Sequence, residues 1–282
     1  MNVQRIAGLA GVTLMSLVGG ARGAIVTFDS GTIDDAFTVV QDTAPTAPVT
    51  AVYSINSTAG LSGSPAVVPA NSGDATALYD LSSFNPTVGT ITISSFFKKA
   101  AGTAGTQPTL LQLGLASALD TRFNGYNAAG TLTDSFVNVR LRMEGVNGVA
   151  FQAQSKAGNT DLASSSTQGA TVNLVTDNFY QLVTTFDRTS ATQFTVAGSL
   201  FNSNADGVVG TLITSLAPTL LTNGDVAGDS TLYAGFRGLG ANGLGAVDNF
   251  EVTQVPEPAS MAVLGLGAMC AFRRRARSAG NA

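Results

Sequence analysis

Phe136-Val137-Asn138-Val139-Arg140-Leu141-Arg142-Met143 puts Val137, Val139, Leu141 and Met143 on one side and Asn138, Arg140 and Arg142 on the other. Successive side chains of a strand point to opposite faces, so this period of two describes an antiparallel strand with one core face and one wet face. Thr90-Ile91-Thr92-Ile93-Ser94 repeats the pattern. Outward from these two, runs rich in β-branched and aromatic residues recur at 25–28, 49–55, 110–116, 149–154, 179–186, 193–201, 231–236 and 247–252. Clusters of Gly, Asn, Asp and Pro at 44–48, 102–107, 124–130, 159–169 and 202–207 separate many of them and read as loops. None of these breaks has the length or bias of a domain linker, and no fixed-period repeat points to a propeller or solenoid. The fold class this predicts is all-β: one antiparallel β-sandwich over residues 24–254.

Composition agrees. Charged residues are 11% and aromatics 7% of the 282, and Gly alone supplies 32. That is the mix of an extracellular β protein with short strands and many turns. A core built from roughly 230 residues needs neither disulfides nor a metal to be stable. The net charge of −4 hides an asymmetry, because six of the fourteen basic residues lie near the two ends. Residues 24–255 hold 8 Lys/Arg against 17 Asp/Glu. So acidic a domain repels phosphate backbones, which argues against a nucleic-acid partner.

Both ends read as addresses. Arg5 precedes an apolar run from Ile6 to Val18, followed by Gly19-Gly20-Ala21-Arg22-Gly23. A basic start, a short apolar stretch and small residues at −3 and −1 describe a secretory signal peptide over 1–23, with Ala21 and Gly23 setting the cut. At the other end, within 255–282, Pro256-Glu257-Pro258 precedes an apolar run from Met261 to Phe272 and then Arg273, Arg274, Arg275 and Arg277. A helix from Ala259 to Phe272 would be about 21 Å long, short of a hydrocarbon core of about 30 Å. Arginine snorkelling and local thinning narrow that gap. The arginines belong on the cytoplasmic side and the prolines outside. The single cysteine, Cys270, falls inside this run.

This three-part tail resembles the PEP-CTERM sorting signal of Gram-negative and related bacteria. The resemblance implies a short transmembrane helix as a transient inner-membrane anchor. It gives Pro256, Glu257 and Pro258 as the recognition motif, and Arg273, Arg274, Arg275 and Arg277 as the stop-transfer cluster. The implied partners are an exosortase and the secretion machinery, and the implied destination is the cell surface or medium. The order of strands is similar to laminin-G-like, concanavalin A-like jelly rolls. Phe179-Tyr180-Gln181-Leu182-Val183-Thr184-Thr185-Phe186-Asp187 occupies the place of their Trp-Tyr-His-Leu-Val strand, with Phe179 for Trp and Gln181 for His. That resemblance implies pairing of the first and last strands, with Asp29 and Asp248 near the seam. Jelly rolls often hold a structural calcium there, the one cofactor the sequence suggests. A turn or edge hydrogen-bonding role for Asp248-Asn249 is the competing assignment. Asp225 and Asp229, beside Gly224 and Gly228, make a second Asp/Gly loop of the same kind.

Catalytic chemistry is thinly supplied. The chain has no His, which removes Ser-His-Asp and Cys-His arrangements and His-based zinc sites. Glu144 and Glu251 are the glutamates of residues 24–254, and no closely spaced strand of paired carboxylates is present. The reading this supports is a non-enzymatic exported surface or matrix protein associating with exopolysaccharide or envelope proteins. A lectin-like carbohydrate-binding module is the first alternative, and a secreted polysaccharide hydrolase using Asp pairs is the second. For sugar stacking, the loop Phe123-Asn124-Gly125-Tyr126-Asn127 offers Tyr126 as a contact.

Overall fold

The computed structural model describes residues 12–16, 22–29, 32–41, 52–70, 75–84, 89–102, 106–123, 134–158, 160, 162–164 and 170–255. They form two antiparallel sheets packed face to face, the all-β sandwich the alternation predicts. The first sheet runs β1 (Val12–Ser16), β2 (Arg22–Val26), β17 (Leu244–Val255), β7 (Thr90–Lys99), β13 (Phe179–Ser190), β14 (Gln193–Ser203) and β15 (Val209–Thr222). In this sheet β5 (Ala66–Pro69) also pairs with β17, and β4 (Tyr53–Asn56) pairs with β5. The second sheet runs β11 (Ala163–Ser164), β10 (Gly148–Lys156), β9 (Phe136–Glu144), β8 (Thr106–Ala116), β16 (Tyr233–Gly238), β6 (Ala75–Asp80) and β3 (Thr38–Gln41). There β12 (Val172–Asn173) also pairs with β10.

The period of two sorts the side chains. Val137, Val139, Leu141 and Met143 of β9 are fully buried against the first sheet, with Val149, Phe151 and Ala153 of β10 beside them. Ile91, Ile93 and Phe97 of β7 and Leu182 and Phe186 of β13 join the same core from the other side. At the opposite end of the core Phe37 lies edge-on to Phe236 of β16 and Phe250 of β17, at 5.4 and 5.2 Å between ring centroids. Each such side chain contributes about 1.5–3 kcal/mol on burial. Gly198 of β14 is spatially required in this interior: a Cβ there would stand 2.8 Å from the Phe151 ring and 3.0 Å from Val139.

The first and last strands of the expected domain do pair, with Val26 opposite Phe250 and Gly23 opposite Thr253. The strand reaches two residues further back than the expected boundary, because Arg22 and Gly23 are in register with Gln254 and Thr253. Val12–Ser16, inside the run read as the signal peptide, forms β1 and folds back on β2 with Ser16 opposite Arg22. A cut after Gly23 therefore falls within β2 and takes β1 away from its edge. Ala21 and residues 256–282, with the sorting motif and its arginines, lie outside the described residues, as does Tyr126. Among the described residues no helix is long and apolar enough to cross a membrane.

Candidate functional site

The outward side of the second sheet is where polar chemistry gathers. On β9 the residues between the buried apolar ones are Asn138, Arg140 and Arg142. Register brings Gln154 and Gln152 of β10 opposite Asn138 and Arg140. From the other side β8 puts Gly114 and Gln112 opposite the same two residues. Beyond β8, Gly235 and Arg237 of β16 continue the rows. The expected wet face is largely covered: Asn138, Gln112, Gln152, Gln154 and Arg237 are buried, while Arg140 and Arg142 stay half-buried.

These side chains bind one another in a defined way. Gln112 Nε2 donates to Gln154 Oε1 at 2.9 Å, a bridge that spans β9 because β8 and β10 are its two neighbours. Arg237 Nη1 donates to Gln112 Oε1 at 2.9 Å and to Thr109 Oγ1 at 3.4 Å. Arg140 Nε donates to Gln152 Oε1 at 2.7 Å, and its Nη1 to Thr109 Oγ1 at 3.3 Å. Arg142 is paired with Glu144 at the end of the strand.

Asn138 stands apart in this field. Its side chain is 0% exposed, and neither its amide nitrogen nor its amide oxygen has a hydrogen-bond partner. It leans over Gly114, where an added Cβ would come within 2.6 Å of its own Cβ. A primary amide offers two donors and an acceptor. Leaving such a group buried and unmet costs about 1–3 kcal/mol. A guest that both donates and accepts at one atom, such as a hydroxyl, is its chemical complement.

One flank of this field is closed by an apolar patch. The chain leaving β8 crosses back over the sheet, and Phe123 N–H donates to Thr76 Oγ1 of β6 at 2.8 Å. Phe123 packs with Leu78, Ala116 and Phe136, with Tyr233 beside them. Arg122 and Asp134 fasten the segment by an ion pair of 3.3 Å and an Arg122 N–H bond of 3.0 Å to the same carboxylate.

The acidic candidates find other roles. Asp248 sits at a bulge where Asn249 adopts a left-handed φ of 45° and β17 passes from pairing with β5 to pairing with β2. Its Oδ2 accepts from Leu61 N at 2.8 Å and Ser64 Oγ at 3.1 Å, and its Oδ1 from Asn249 N at 2.8 Å. That is the bonding of a carboxylate that pins a turn, and a cation would have to displace these donors. Burial pushes the Asp248 pKa above its ordinary value, and the charge of exposed Asp29 adds to the rise. Glu251, three residues on, is also raised by burial. Asp225 lies in the first turn of a short helix, α1 (Gly224–Gly228), and Asp229 is its C-cap, so the segment is not an open loop. Asp225 Oδ2 accepts from Ser135 Oγ at 2.7 Å, and Asp229 Oδ1 from Thr231 N at 3.0 Å. Among the described residues no group of three His, Cys, Asp or Glu is placed to hold a metal ion.

Tyr126, the ligand contact that the sequence offers, lies outside the described residues; the polar rows of the sheet come from every second position of neighbouring strands, Gln112 in LLQLG and Gln152 and Gln154 in FQAQS. Nothing in a single sequence says that these strands are adjacent.

Residues 254–276 match the PEP-CTERM protein-sorting motif. The chain carries an exosortase sorting signal, and the signal marks it for export. The match covers the tail alone and leaves the sandwich unassigned. No curated protein matches the chain. Among solved structures it is similar to the basic winged bean lectin with Tn-antigen, at 12% identity over 84% of this chain and 99% of that one, with a TM-score of 0.48. It is similar to a protein of unknown function from Shewanella oneidensis MR-1, at 10% identity over 86% and 90%, TM-score 0.46. Peanut lectin with a nine-residue peptide follows at 13% identity over 83% and 97%, TM-score 0.45. At these scores no property of those proteins transfers to this chain.

Proposed function

We propose that this PEP-CTERM protein is a non-enzymatic component of the cell surface or extracellular matrix, and that its sandwich binds polysaccharide on the outward face of the second sheet. The observation that carries the proposal is the buried, unpartnered amide of Asn138 amid the oriented Gln112, Gln154, Arg140 and Arg237. Sugars present dense hydroxyls, which supply the donor and acceptor that this amide lacks. At the border of the polar field Tyr233, half-buried and packed on the buried Phe123 and Phe136, supplies aromatic surface.

The test is binding of the exported protein to exopolysaccharide prepared from the producing cells and to a glycan array. Asn138→Ala should lower affinity by roughly tenfold, the size of one lost hydrogen-bonding group near 1.4 kcal/mol, while the thermal midpoint stays level or rises. Unchanged affinity in that variant would overturn the assignment of the site. Release of new reducing ends from the polymer would overturn the non-enzymatic part.

A further inference from the structure

We infer that the sandwich pairs with a second copy of this chain through β15, the open edge of the first sheet, an inference that stands apart from the glycan reading. β15 ends its sheet and is 14 residues long. Among the described residues the other strands that end the order of a sheet are short: β1 has five residues, β3 four and β11 two. A long edge leaves backbone N–H and C=O groups facing outward, a template for another strand. Its side chains are suited to the same use. Among the described residues, four of the eight exposed large hydrophobics lie here: Val208, Val209, Leu212 and Leu220. Apolar side chains gathered in one exposed place mark a contact surface.

Charge selects the partner. Residues 24–255 hold 17 acidic and 8 basic side chains, so two copies repel over most of their surfaces. The hairpin of β14 and β15 is the exception. From Gln193 to Gly224 its one ionisable side chain is Asp206, near the turn, where Oδ1 accepts from Ser62 Oγ at 3.1 Å. An anionic polymer or lipid surface would meet an acidic body with no cation on this edge. A second β15 is neutral, apolar and self-complementary about a two-fold axis. Charge and backbone also choose the register of an antiparallel pair. Pairing along the whole strand would set Asp206 opposite the partner's Asp225 and run through Pro218, which has no N–H to give. An axis at Leu212 avoids both. Leu212 then meets the partner's Leu212, and Val209 meets the partner's Ser215. The pair closes on itself because each edge occupies the other. Pro218 and the register shifts between β15 and β14 keep the rest of the strand from recruiting further chains.

The experiment follows the oligomeric state of the exported protein by sedimentation equilibrium, with no polysaccharide present, from micromolar to millimolar concentration. A monomer–dimer equilibrium should appear, and it should tighten as added salt screens the acidic bodies from one another. Leu212→Lys should weaken it by about tenfold or more. Val146→Lys, at an equally exposed apolar position in the turn between β9 and β10, should leave it unchanged. In a Cys270→Ala background, Leu212→Cys under oxidised glutathione should link two chains by a disulfide. Directly opposed residues of an antiparallel pair stand about 4.5–5.5 Å apart between Cα atoms, within reach of that bond. Leu220→Cys should not link, because the axis at Leu212 sets the two copies of residue 220 roughly 50 Å apart. A monomer throughout the concentration range would overturn the interface and leave the glycan site untouched. A dimer indifferent to Leu212→Lys would overturn the edge, and a cross-link through Leu220→Cys would overturn the register. Growth beyond two chains would overturn the closed pair. The equilibrium of the unsubstituted protein needs no variant, so the interface can fail even where a substituted chain does not fold.

Discussion

Asn223 ties the two sheets together, and replacing it with alanine should cost several times what an ordinary surface substitution costs. It follows the last residue of β15 and is 1% exposed. Its Nδ2 donates to Lys156 O at 2.7 Å, Phe136 O at 2.9 Å and Ser155 Oγ at 3.3 Å. Its Oδ1 accepts from Val226 N at 3.0 Å and so caps α1. Phe136 and Lys156 are opposite one another at the end of the β9–β10 ladder. One amide therefore holds the end of an edge strand of the first sheet against two strands of the second. Ser155 Oγ adds a parallel tie to Thr222 O at 2.9 Å.

The cost can be assembled from these contacts. Loss of an N-cap costs about 1 kcal/mol. Each carbonyl left short of a donor adds roughly 0.5–1.5 kcal/mol, less than a full orphan because a carbonyl keeps a second lone pair. Asn223→Ala should thus lose about 2–4 kcal/mol, or roughly 5–15 °C in Tm for a domain of this size. Asn223→Asp should be worse although it keeps the shape and the cap. A carboxylate oxygen would face two carbonyl oxygens where an NH₂ now donates, and burial with only the cap N–H as a backbone donor would favour the protonated form. The Asp variant should therefore lose stability further as pH rises. The chain has no Trp, so urea unfolding is followed by far-UV circular dichroism and tyrosine fluorescence. An alanine variant within about 0.5 kcal/mol of the parent, or an Asp variant milder than Ala, would refute the reasoning.

Three further outcomes follow from the packing and the charges. Asp248 and Glu251 have folded-state pKa values raised above their ordinary 3.8 and 4.5, so the folded chain holds these protons more tightly than the unfolded one. Their contribution to stability is greatest below those values and declines as pH rises through the raised ones; Glu251→Gln should flatten that decline in unfolding measured from acid to neutral pH, and an unaltered slope would count against it. Gly243 has a φ of +88°, and a Cβ there would collide with Nζ of the buried Lys99 and stand 2.7 Å from the Ala100 carbonyl oxygen. Gly243→Ala should cost more than the roughly 1–2 kcal/mol of a left-handed alanine, and adding Lys99→Ala should recover only part of the excess in a double-mutant cycle, because the backbone contact remains. Gly198→Ala should cost about 1–3 kcal/mol by overpacking, with Phe151→Leu in the same chain restoring part of it, and purely additive losses would show that the two do not meet.

How much of this could be read from the residues depends on the range of the interaction. A period of two is local, so β7, β8, β9, β10, β13, β14 and β17 were all legible as strands, with ends shifted by a few residues. β15 was not. Val209–Thr222 alternates poorly, contains Pro218, and exposes Leu212 and Leu220 at 53% and 57%, because a strand at a sheet edge with shifted register has no single buried side to impose a pattern. β5 and β6 escape the alternation for the opposite reason. Ala75–Asp80 begins with four buried residues in succession, which shows no alternation at all. Asp248 drew attention through its acidity, but what it does is set by Leu61 and Ser64, far away in sequence. The same separation hides the polar face proposed here as the binding surface. Gln112, Asn138, Gln154 and Arg237 each look like a solvated residue of its own strand, and none of the four segments carries a motif. Their meaning arises when register sets β8 between β16 and β9 and stacks the polar positions of four strands in rows. The tail is the reverse case. Pro256, Glu257, Pro258 and the arginines are contiguous, and their order along the chain is itself what a sorting enzyme reads. An address written in sequence survives without a fold, while a binding surface written in register exists only after one.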